Sequence, residues 1–312
     1  MRHGYLLKNE SGVALITALL VVAMAVAAGV AIATRQHIDI RRSENLFTTD
    51  QALLYARGGE SWAMAILARD RRDSEIDHPG EDWARQIPPL PVDGGSVSGY
   101  IEDMQGRFNI NNLAVNGEST AIDLDRLRRI LESVGLEPAL AGTIADWVDS
   151  DIEPRFPDGA EDDSYLGGEA PYRAANRPMI SVSELRLVKG FTAESVDKLL
   201  PHVSALPVAT AININTATEV VLQSLLPDLD SAAVEQLVEA REEEAFASVE
   251  DFLRHPVFEG KSLGNQRLGV SSEYFSVTSD AQIGAGRLQL TSLIQRTDAS
   301  SLAVLARSYG GL

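Results

Sequence analysis

The chain has 312 residues, more than one average domain requires, and 45% of them are hydrophobic while 23% are charged. This composition excludes a wholly disordered chain and a protein with many membrane spans. Cysteine is absent, which excludes disulfides, thiolate nucleophiles and cysteine-ligated metal sites. The formal net charge of −18 disfavours general binding to nucleic-acid phosphates and favours cations or basic partners.

The N-terminal part contains residues 13–34, a run without a single charge. At about 1.5 Å per residue such a run spans roughly 33 Å, which is enough to cross the core of a bilayer. It continues into residues with helical spacing of apolar positions, and no proline occurs before residue 79. We therefore predict one helix over about residues 13–70, membrane-spanning over 13–34 and amphipathic afterwards.

A short polar leader ends in Gly12, directly before Val13 and the apolar run. This boundary resembles the class III signal of type IV prepilins and of type II secretion pseudopilins. The resemblance implies that residues 1–12 are a leader peptide, that a prepilin peptidase cuts between Gly12 and Val13 on the cytoplasmic side, and that the new N-terminus is methylated. Thr17 then occupies the fifth position, where the family usually has Glu. Lack of this Glu is the pattern of the K-type minor pseudopilin of type II secretion.

The rest of the chain alternates between strand and helix signals. Residues 71–95 are rich in proline and glycine and indicate a linker, and residues 96–104 alternate as a strand does. Helical patterns follow up to about residue 269, and period-two patterns in 271–308 predict a three-stranded meander. Strands so far apart in sequence indicate that the helical block is an insertion in one small α+β domain.

We accordingly predict an α+β, type IV pilin-like fold, in which a long N-terminal helix packs on a small antiparallel sheet and a large all-α insertion interrupts the sheet. The resemblance to the pseudopilins extends over the whole chain. The predicted segments are the leader (1–12), the transmembrane part of the helix (13–34), the periplasmic helix, linker and first strand (35–105), the inserted helical domain (106–269) and the C-terminal antiparallel strands (270–312).

The insertion contains a loose internal repeat, in which residues 108–114 match 212–218 and residues 181–185 match 248–252. These units resemble SAM-like and helix-hairpin-helix modules, some of which bind DNA. A membrane-anchored periplasmic DNA-binding protein is therefore the alternative hypothesis. We favour helix capping and packing as the role of these residues, because the second hairpin, 226–230, has two carboxylates and no glycine to approach a phosphate.

Carboxylates are concentrated in a short irregular stretch that begins near residue 146 and contains Pro154, Pro157 and Gly159. They would repel one another unless they are solvated or bridged by a cation, and hard oxygen ligands suit Ca²⁺. The spacing is not that of an EF-hand, and the resembling family binds Ca²⁺ in its helical domain. The candidate calcium ligands are Asp149, Asp151, Glu153, Asp158, Glu161, Asp162 and Asp163.

An enzyme is not expected, because the chain lacks a nucleophile elbow, a P-loop and a His-Glu-x-x-His motif. A membrane-tethered hydrolase that uses the acidic cluster is the third hypothesis, and an unrelieved acidic run is a poor setting for acid–base catalysis.

The pseudopilin resemblance implies a protein that caps the tip of the periplasmic pseudopilus and nucleates its assembly for protein secretion. It implies an inner-membrane anchor with most of the chain in the periplasm. The implied partners are the minor pseudopilins I and J, with H and the major pseudopilin G below, the prepilin peptidase and the inner-membrane secretion platform. No nucleic acid is expected as a partner. The predicted partner face of the helix carries Leu46, Leu53, Leu54 and Ile66.

Overall fold

The computed structural model describes residues 11–114, 120–168, 170–264 and 266–310. Its helices are α1 (Ser11–Asp73), α2 (Ala121–Ser133), α3 (Leu140–Val148), α4 (Asp162–Leu166), α5 (Ala193–Leu199), α6 (Glu219–Gln223), α7 (Ser231–Glu243) and α8 (Val249–Leu253). Its strands are β1 (Ile87–Val92), β2 (Gly95–Asp103), β3 (Phe108–Asn109), β4 (Val203–Ser204), β5 (Ile212–Asn213), β6 (Leu268–Gly269), β7 (Tyr274–Ile283), β8 (Gly286–Arg296) and β9 (Leu302–Tyr309). Several 3₁₀ turns connect them.

The long helix predicted at the N-terminus is confirmed, because α1 runs without interruption for 63 residues. It is long and apolar enough in its first part to cross a membrane, and none of that part is buried against the protein. The hydroxyl of Thr17 donates to the carbonyl oxygens of Val13 and Ala14, at 3.1 and 3.0 Å. The single polar side chain near the start of the span is therefore satisfied within its own helix.

The second half of α1 packs along one face of a five-stranded antiparallel sheet of order β1-β2-β7-β8-β9. Small side chains allow the helix to approach the sheet closely: Ala52 and Ala56 are fully buried, and a Cβ at Gly59 would collide with the hydroxyl of Ser279. Gly59 therefore allows helix–sheet contact, and the glycine pair at 58 and 59 does not break the helix.

The sheet confirms the predicted pairing of distant strands. β2 pairs with β7 from Gly95↔Ile283 to Asp103↔Phe275, and β7, β8 and β9 form the predicted meander. The proline-rich residues predicted as a linker include a strand, β1, which pairs with β2 at the sheet edge. Proline has no N–H to donate, so an edge strand tolerates it.

The segment between the distant strands, residues 106–269, packs around its own large hydrophobic cluster, which includes Phe108, Leu127, Ile144, Val221 and Phe252. It is not purely helical, because β3 pairs with β4 and β5 pairs with β6, both in parallel. Each of these pairs is two residues long, which is too short to show as a period-two pattern in the sequence.

The internal repeat is a structural repeat. Asn111 donates to the carbonyl oxygen of Met179 at 2.9 Å and accepts from its N–H at 2.8 Å. Asn215 does the same with Phe246, at 3.0 Å in both directions. Met179 and Phe246 each precede the matching serine of their unit, Ser181 or Ser248, by two residues. The asparagines thus act as backbone clamps and turn residues, which is the packing role favoured from the sequence.

A buried polar junction joins the inserted segment to the sheet. One carboxylate oxygen of Asp103, at the end of β2, accepts hydrogen bonds from Ser272 (2.6 Å), Asn213 (2.9 Å) and Thr216 (2.5 Å). Asn213 and Thr216 lie in the inserted segment, and Ser272 precedes β7. The two connections between the sheet and the inserted segment therefore meet at the side chain of Asp103. Burial raises the pKa of this carboxyl group.

Candidate metal centre and partner surface

The acidic stretch begins at the end of α3, where the loop that follows folds back onto the helix. Asp146 is fully buried on α3, and its carboxylate accepts the N–H groups of Arg155 (3.1 Å) and Ala160 (2.8 Å). A Cβ at Gly159 would collide with this carboxylate, so only glycine fits there. The loop is therefore held in place by hydrogen bonds to its own helix.

Three carboxylates converge inside this loop. One oxygen each of Asp149, Asp151 and Glu161 lie within 4.8 Å of one another. Asp149 and Glu161 are buried and Asp151 is exposed. The guanidinium of Arg155 binds one oxygen of Asp149 at 2.8 Å and leaves the other oxygen unused.

Several buried oxygen atoms at the cluster have no hydrogen-bond donor among the described residues. They are Oδ1 of Asp149, both carboxylate oxygens of Glu161 and Oδ1 of Asn176. The side-chain amide of Asn176 donates to the backbone carbonyl of Asp151 at 2.8 Å, which brings this residue to the cluster. Burial, and next the charge of Asp146, raises the pKa of Glu161 to about 7.

Unsatisfied buried oxygens of this kind are costly, and a hard cation would satisfy them. The donor set of carboxylate and amide oxygens, without nitrogen or sulfur, fits Ca²⁺ better than a transition metal. The residues present therefore fit a calcium ion.

Of the seven predicted ligands, the structure brings Asp149, Asp151 and Glu161 together and places the other four outside the cluster. Glu153 and Asp163 are exposed, and Asp158 is half-buried. Asp162 instead accepts the N–H of Ala174 at 3.0 Å. Loop geometry, which residue spacing alone does not define, separates these four side chains from the three that converge.

The sequence prediction missed Asn176, because it lies 25 residues beyond Asp151 and no motif connects the two. A second group of carboxylates, Asp70, Asp77 and Glu81, also lies within 4.8 Å. The positive charge at this second group comes from Arg296, because its buried guanidinium pairs with both Asp70 and Asp77.

The four residues of the predicted partner face of α1 do not lie on one side of the helix. Leu46 and Leu54 are exposed by 61% and 68%, and Leu53 is half-buried. Ile66 instead packs against the core cluster on the sheet side of the helix. Twenty residues at 100° per residue turn the helix by about 200° from Leu46 to Ile66, so these two positions cannot share a face.

The exposed face of α1 beyond the apolar run carries Phe47, Leu54 and Trp62, which are 74%, 68% and 47% exposed. Positions 47 and 54 are two turns apart, and position 62 follows two turns later, so all three lie along one side of the helix. We call these three residues the helix patch. The aromatic Phe47 and Trp62 were not among the residues predicted for the partner face, which were all aliphatic.

Two family models, both described as type II secretion system (T2SS), protein K, match residues 106–208 and 212–271. Type II secretion system protein K of Pseudomonas aeruginosa is 40% identical over 314 residues, which cover 97% of this chain and 94% of that protein. The chain belongs to the type II secretion system protein K family. Protein K of Pectobacterium carotovorum subsp. carotovorum is 33% identical, with 97% of each chain covered.

A solved structure agrees with the assignment to the protein K family. A chain in the crystal structure of the GspK-GspI-GspJ complex from the enterotoxigenic Escherichia coli type 2 secretion system superposes with a TM-score of 0.78 at 28% identity. The match covers 87% of this chain and 100% of the solved chain. The pseudopilin fold predicted from the leader and the strand pattern is therefore confirmed, and so is the role of a minor pseudopilin.

The DNA-binding alternative receives no support from the second hairpin. Asp230 caps α7 by accepting the N–H of Ala233 at 2.8 Å. Leu226 and Leu229 are buried in the core of the inserted segment. The hairpin thus presents carboxylates and packed leucines where a phosphate would need free N–H groups.

Proposed function

We propose that this protein caps the tip of the periplasmic pseudopilus and nucleates its assembly. The observation that carries the proposal is Thr17, which is the fifth residue after the expected cut and whose hydroxyl donates to carbonyl oxygens of its own helix. In an ordinary pseudopilin a Glu at this position reaches the amine of the subunit above. A subunit without this carboxylate gains nothing from a neighbour above it, and the end of a fibre has no such neighbour.

The size of the inserted segment supports the same position. Residues 106–269 form a lobe with its own core, larger than the sheet that carries it. A lateral lattice spaced for small globular domains leaves no room for such a lobe, whereas the end of a fibre does. The proposed role is structural and not catalytic, since the family is a component of a secretion apparatus.

We propose the minor pseudopilins I and J as direct partners, packed on the helix patch. The support is the solved relative, which was crystallised with GspI and GspJ. Exposure of the apolar side chains of Phe47, Leu54 and Trp62 to water is unfavourable for a free protein. A neighbouring helix packed on these residues would bury them. The pseudopilins H and G would follow below, and assembly would take place at the inner-membrane platform.

A soluble form without residues 1–34 tests this pairing. It is expected to form a defined complex with the soluble I and J pseudopilins and to remain unassembled alone. Replacing Phe47 and Trp62 by Ser should weaken the complex at least about tenfold, because each removes a large buried apolar contact. The exposed Ile180, outside the helix, is the matched control, and Ile180→Ser should leave the complex unchanged. A complex that tolerates loss of the helix patch would contradict the pairing.

The proposed location is the bacterial inner membrane, with one span and the bulk of the chain in the periplasm. Prepilin peptidase would cut between Gly12 and Val13, and residues 1–10 of the leader lie outside the described residues. N-terminal sequencing of the protein extracted from membranes should start at Val13. Gly12→Val should keep the leader attached, because a branched side chain does not fit a site that accepts glycine. A start at Met1 in the unmodified protein would contradict the assignment.

We also propose that the loop between α3 and α4 binds Ca²⁺ through Asp149, Asp151 and Glu161, with Asn176 as a fourth ligand. The unsatisfied buried oxygens support this proposal. Binding at one hundred times the dissociation constant stabilises a folded protein by about 2.7 kcal/mol. EDTA should therefore lower the melting temperature of the soluble form by ~5 to 10 °C, and excess Ca²⁺ should restore it. An unchanged melting curve would mean that no ion binds.

A further inference from the structure

A groove lies between α1 and the strands β1 and β2, on the side of the helix that carries Trp62. It has a volume of about 190 Å³ and is mostly apolar. Trp62, Leu90 and Tyr100 line the groove and are exposed, so it opens to the solvent. The groove is therefore an accessible apolar surface directly beside the helix patch.

Gly58 connects this groove to the helix patch. It lines the groove, and it lies four residues after Leu54 and four residues before Trp62. Four residues make slightly more than one helical turn, so Gly58 occupies the middle of the same side of α1. A Cβ at this position meets nothing within 4 Å. Contact with the sheet explains the glycine at 59, whereas no contact within the described chain explains the one at 58.

The missing side chain at Gly58 favours a close contact with a second helix. A glycine inside a helix lowers its stability relative to alanine, and its benefit is that another backbone can approach closely. The distance between two packed helices depends on the side chains at the contact, and a glycine there gives a short distance. An added strand is disfavoured at this edge of the sheet, because the three prolines of β1 lack donors.

A second observation places an unused polar atom in the wall of the groove. Ser279 of β7 lines the groove and is 2% exposed, and its hydroxyl has no hydrogen-bond partner among the described residues. A buried hydroxyl without a partner is unfavourable. A side chain with an apolar body and a polar end, as tyrosine has, would fill the groove and bond to this hydroxyl.

We propose that the N-terminal helix of a neighbouring minor pseudopilin crosses α1 at Gly58 and inserts one such side chain into the groove, where it bonds to Ser279. The inference rests on the proposed function, which places pseudopilins I and J on the helix patch because the solved relative was crystallised with GspI and GspJ. It adds the crossing point, the groove and the hydrogen-bonding atom by which the protein selects its partner.

The full chain, purified in detergent and mixed with pseudopilins I and J, tests the crossing point. Gly58→Leu adds a side chain where the free protein has open space, so its melting temperature should not fall. The same side chain should hold the partner helix away and raise the Kd of the complex at least about tenfold. Gly167→Leu is the matched control, because Gly167 is exposed, also has open space and lies at the end of α4. It should leave the Kd unchanged.

Ser279→Ala tests the groove. It removes a hydroxyl that has no partner in the free protein, so the melting temperature should again not fall. Loss of the bond to the partner should weaken the complex by about threefold to tenfold. Ser204→Ala is the control, because its buried hydroxyl also lacks a partner among the described residues but lies in β4, outside the groove. It should leave the Kd unchanged.

Phe47→Ser separates this inference from the proposed function, because Phe47 belongs to the helix patch and does not line the groove. An unchanged Kd in Gly58→Leu would overturn the crossing point, and an unchanged Kd in Ser279→Ala would overturn the inserted side chain, even if Phe47→Ser abolishes the complex. A lower melting temperature in both variants would show that they act on the free fold and would overturn the inference too. If both variants weaken the complex while Phe47→Ser does not, the groove stands and the pairing through the helix patch fails. Failure of the unmodified protein to bind I or J would overturn both.

Discussion

At the scale of single residues, Glu161 is the sharpest test of the calcium proposal. Its two carboxylate oxygens are buried with no hydrogen-bond donor among the described residues, so the ionised side chain destabilises the ion-free protein. Glu161→Gln should abolish the effect of Ca²⁺ on the melting temperature. Without Ca²⁺ it should melt no lower than the unmodified protein, because a neutral amide replaces an unpaired charge.

Glu153→Gln is the matched control for this experiment, because Glu153 is exposed and lies outside the cluster. It should retain the full calcium effect. If Ca²⁺ still raises the melting temperature of Glu161→Gln but not that of Glu153→Gln, the ligands have been placed on the wrong side of the loop.

A second residue-scale prediction concerns pH and the buried Arg296. One guanidinium serves both Asp70 and Asp77, and its carbon lies 4.5 Å from the centre of the Phe275 ring. Burial raises the pKa of Asp70 from 3.8 to about 6, against the opposing hydrogen bond from Arg296. A carboxyl whose folded-state pKa is raised binds protons more tightly when folded, so this contribution to stability is lost as the pH rises through 6.

Lowering the pH from 7.5 to 5 should therefore favour the unmodified protein over Asp70→Asn, which has no proton to gain. The difference between their free energies of unfolding, measured with urea at both pH values, should become more favourable to the unmodified protein at pH 5. An identical difference at both pH values would show that Asp70 ionises normally.

At the scale of elements, the two glycines of α1 make a matched pair. A Cβ at Gly58 meets nothing within 4 Å, whereas a Cβ at Gly59 collides with Ser279 of β7. Gly58→Ala should stabilise the protein by ~0.5 to 1 kcal/mol, since alanine lowers the entropy lost on helix formation. Gly59→Ala should destabilise it, because α1 has to move away from the sheet. Urea unfolding of both variants checks the signs, and equal effects would contradict the packing of α1 described here.

The elements also show which patterns can be read from the sequence. The helix α1 and the meander β7–β9 were predictable because apolar periodicity and an absence of proline act locally. The strand β1 was missed because three prolines usually exclude a strand, and only its position at the edge makes them acceptable. The repeat could be recognised in the amino-acid sequence. The hydrogen bond from Asn111 to Met179 spans 68 residues, so it is defined only by the fold.

At the scale of the whole molecule, the metal cluster illustrates the same limit. Asp149 and Asp151 are neighbours in sequence, and Glu161 follows in the same loop, so these three were among the candidates. Asn176 reaches the cluster only because the chain returns after α4, and no spacing rule contains that return. The position of β9 at an edge of the sheet likewise depends on the strand order, which is a property of the assembled fold.

The last prediction concerns the position of the molecule in the fibre. Thr17→Glu places a carboxylate in the bilayer, where an unpaired charge costs about 3 kcal/mol, and a tip subunit has no amine above it to pair with. The variant should therefore start fewer pseudopili, counted by electron microscopy. Thr34→Glu is the control, because it lies at the end of the apolar run, where a charge reaches water. Labelling of this protein should show a single end of each fibre in the wild type. Many copies along the shaft, in the wild type or in Thr17→Glu, would contradict the tip position.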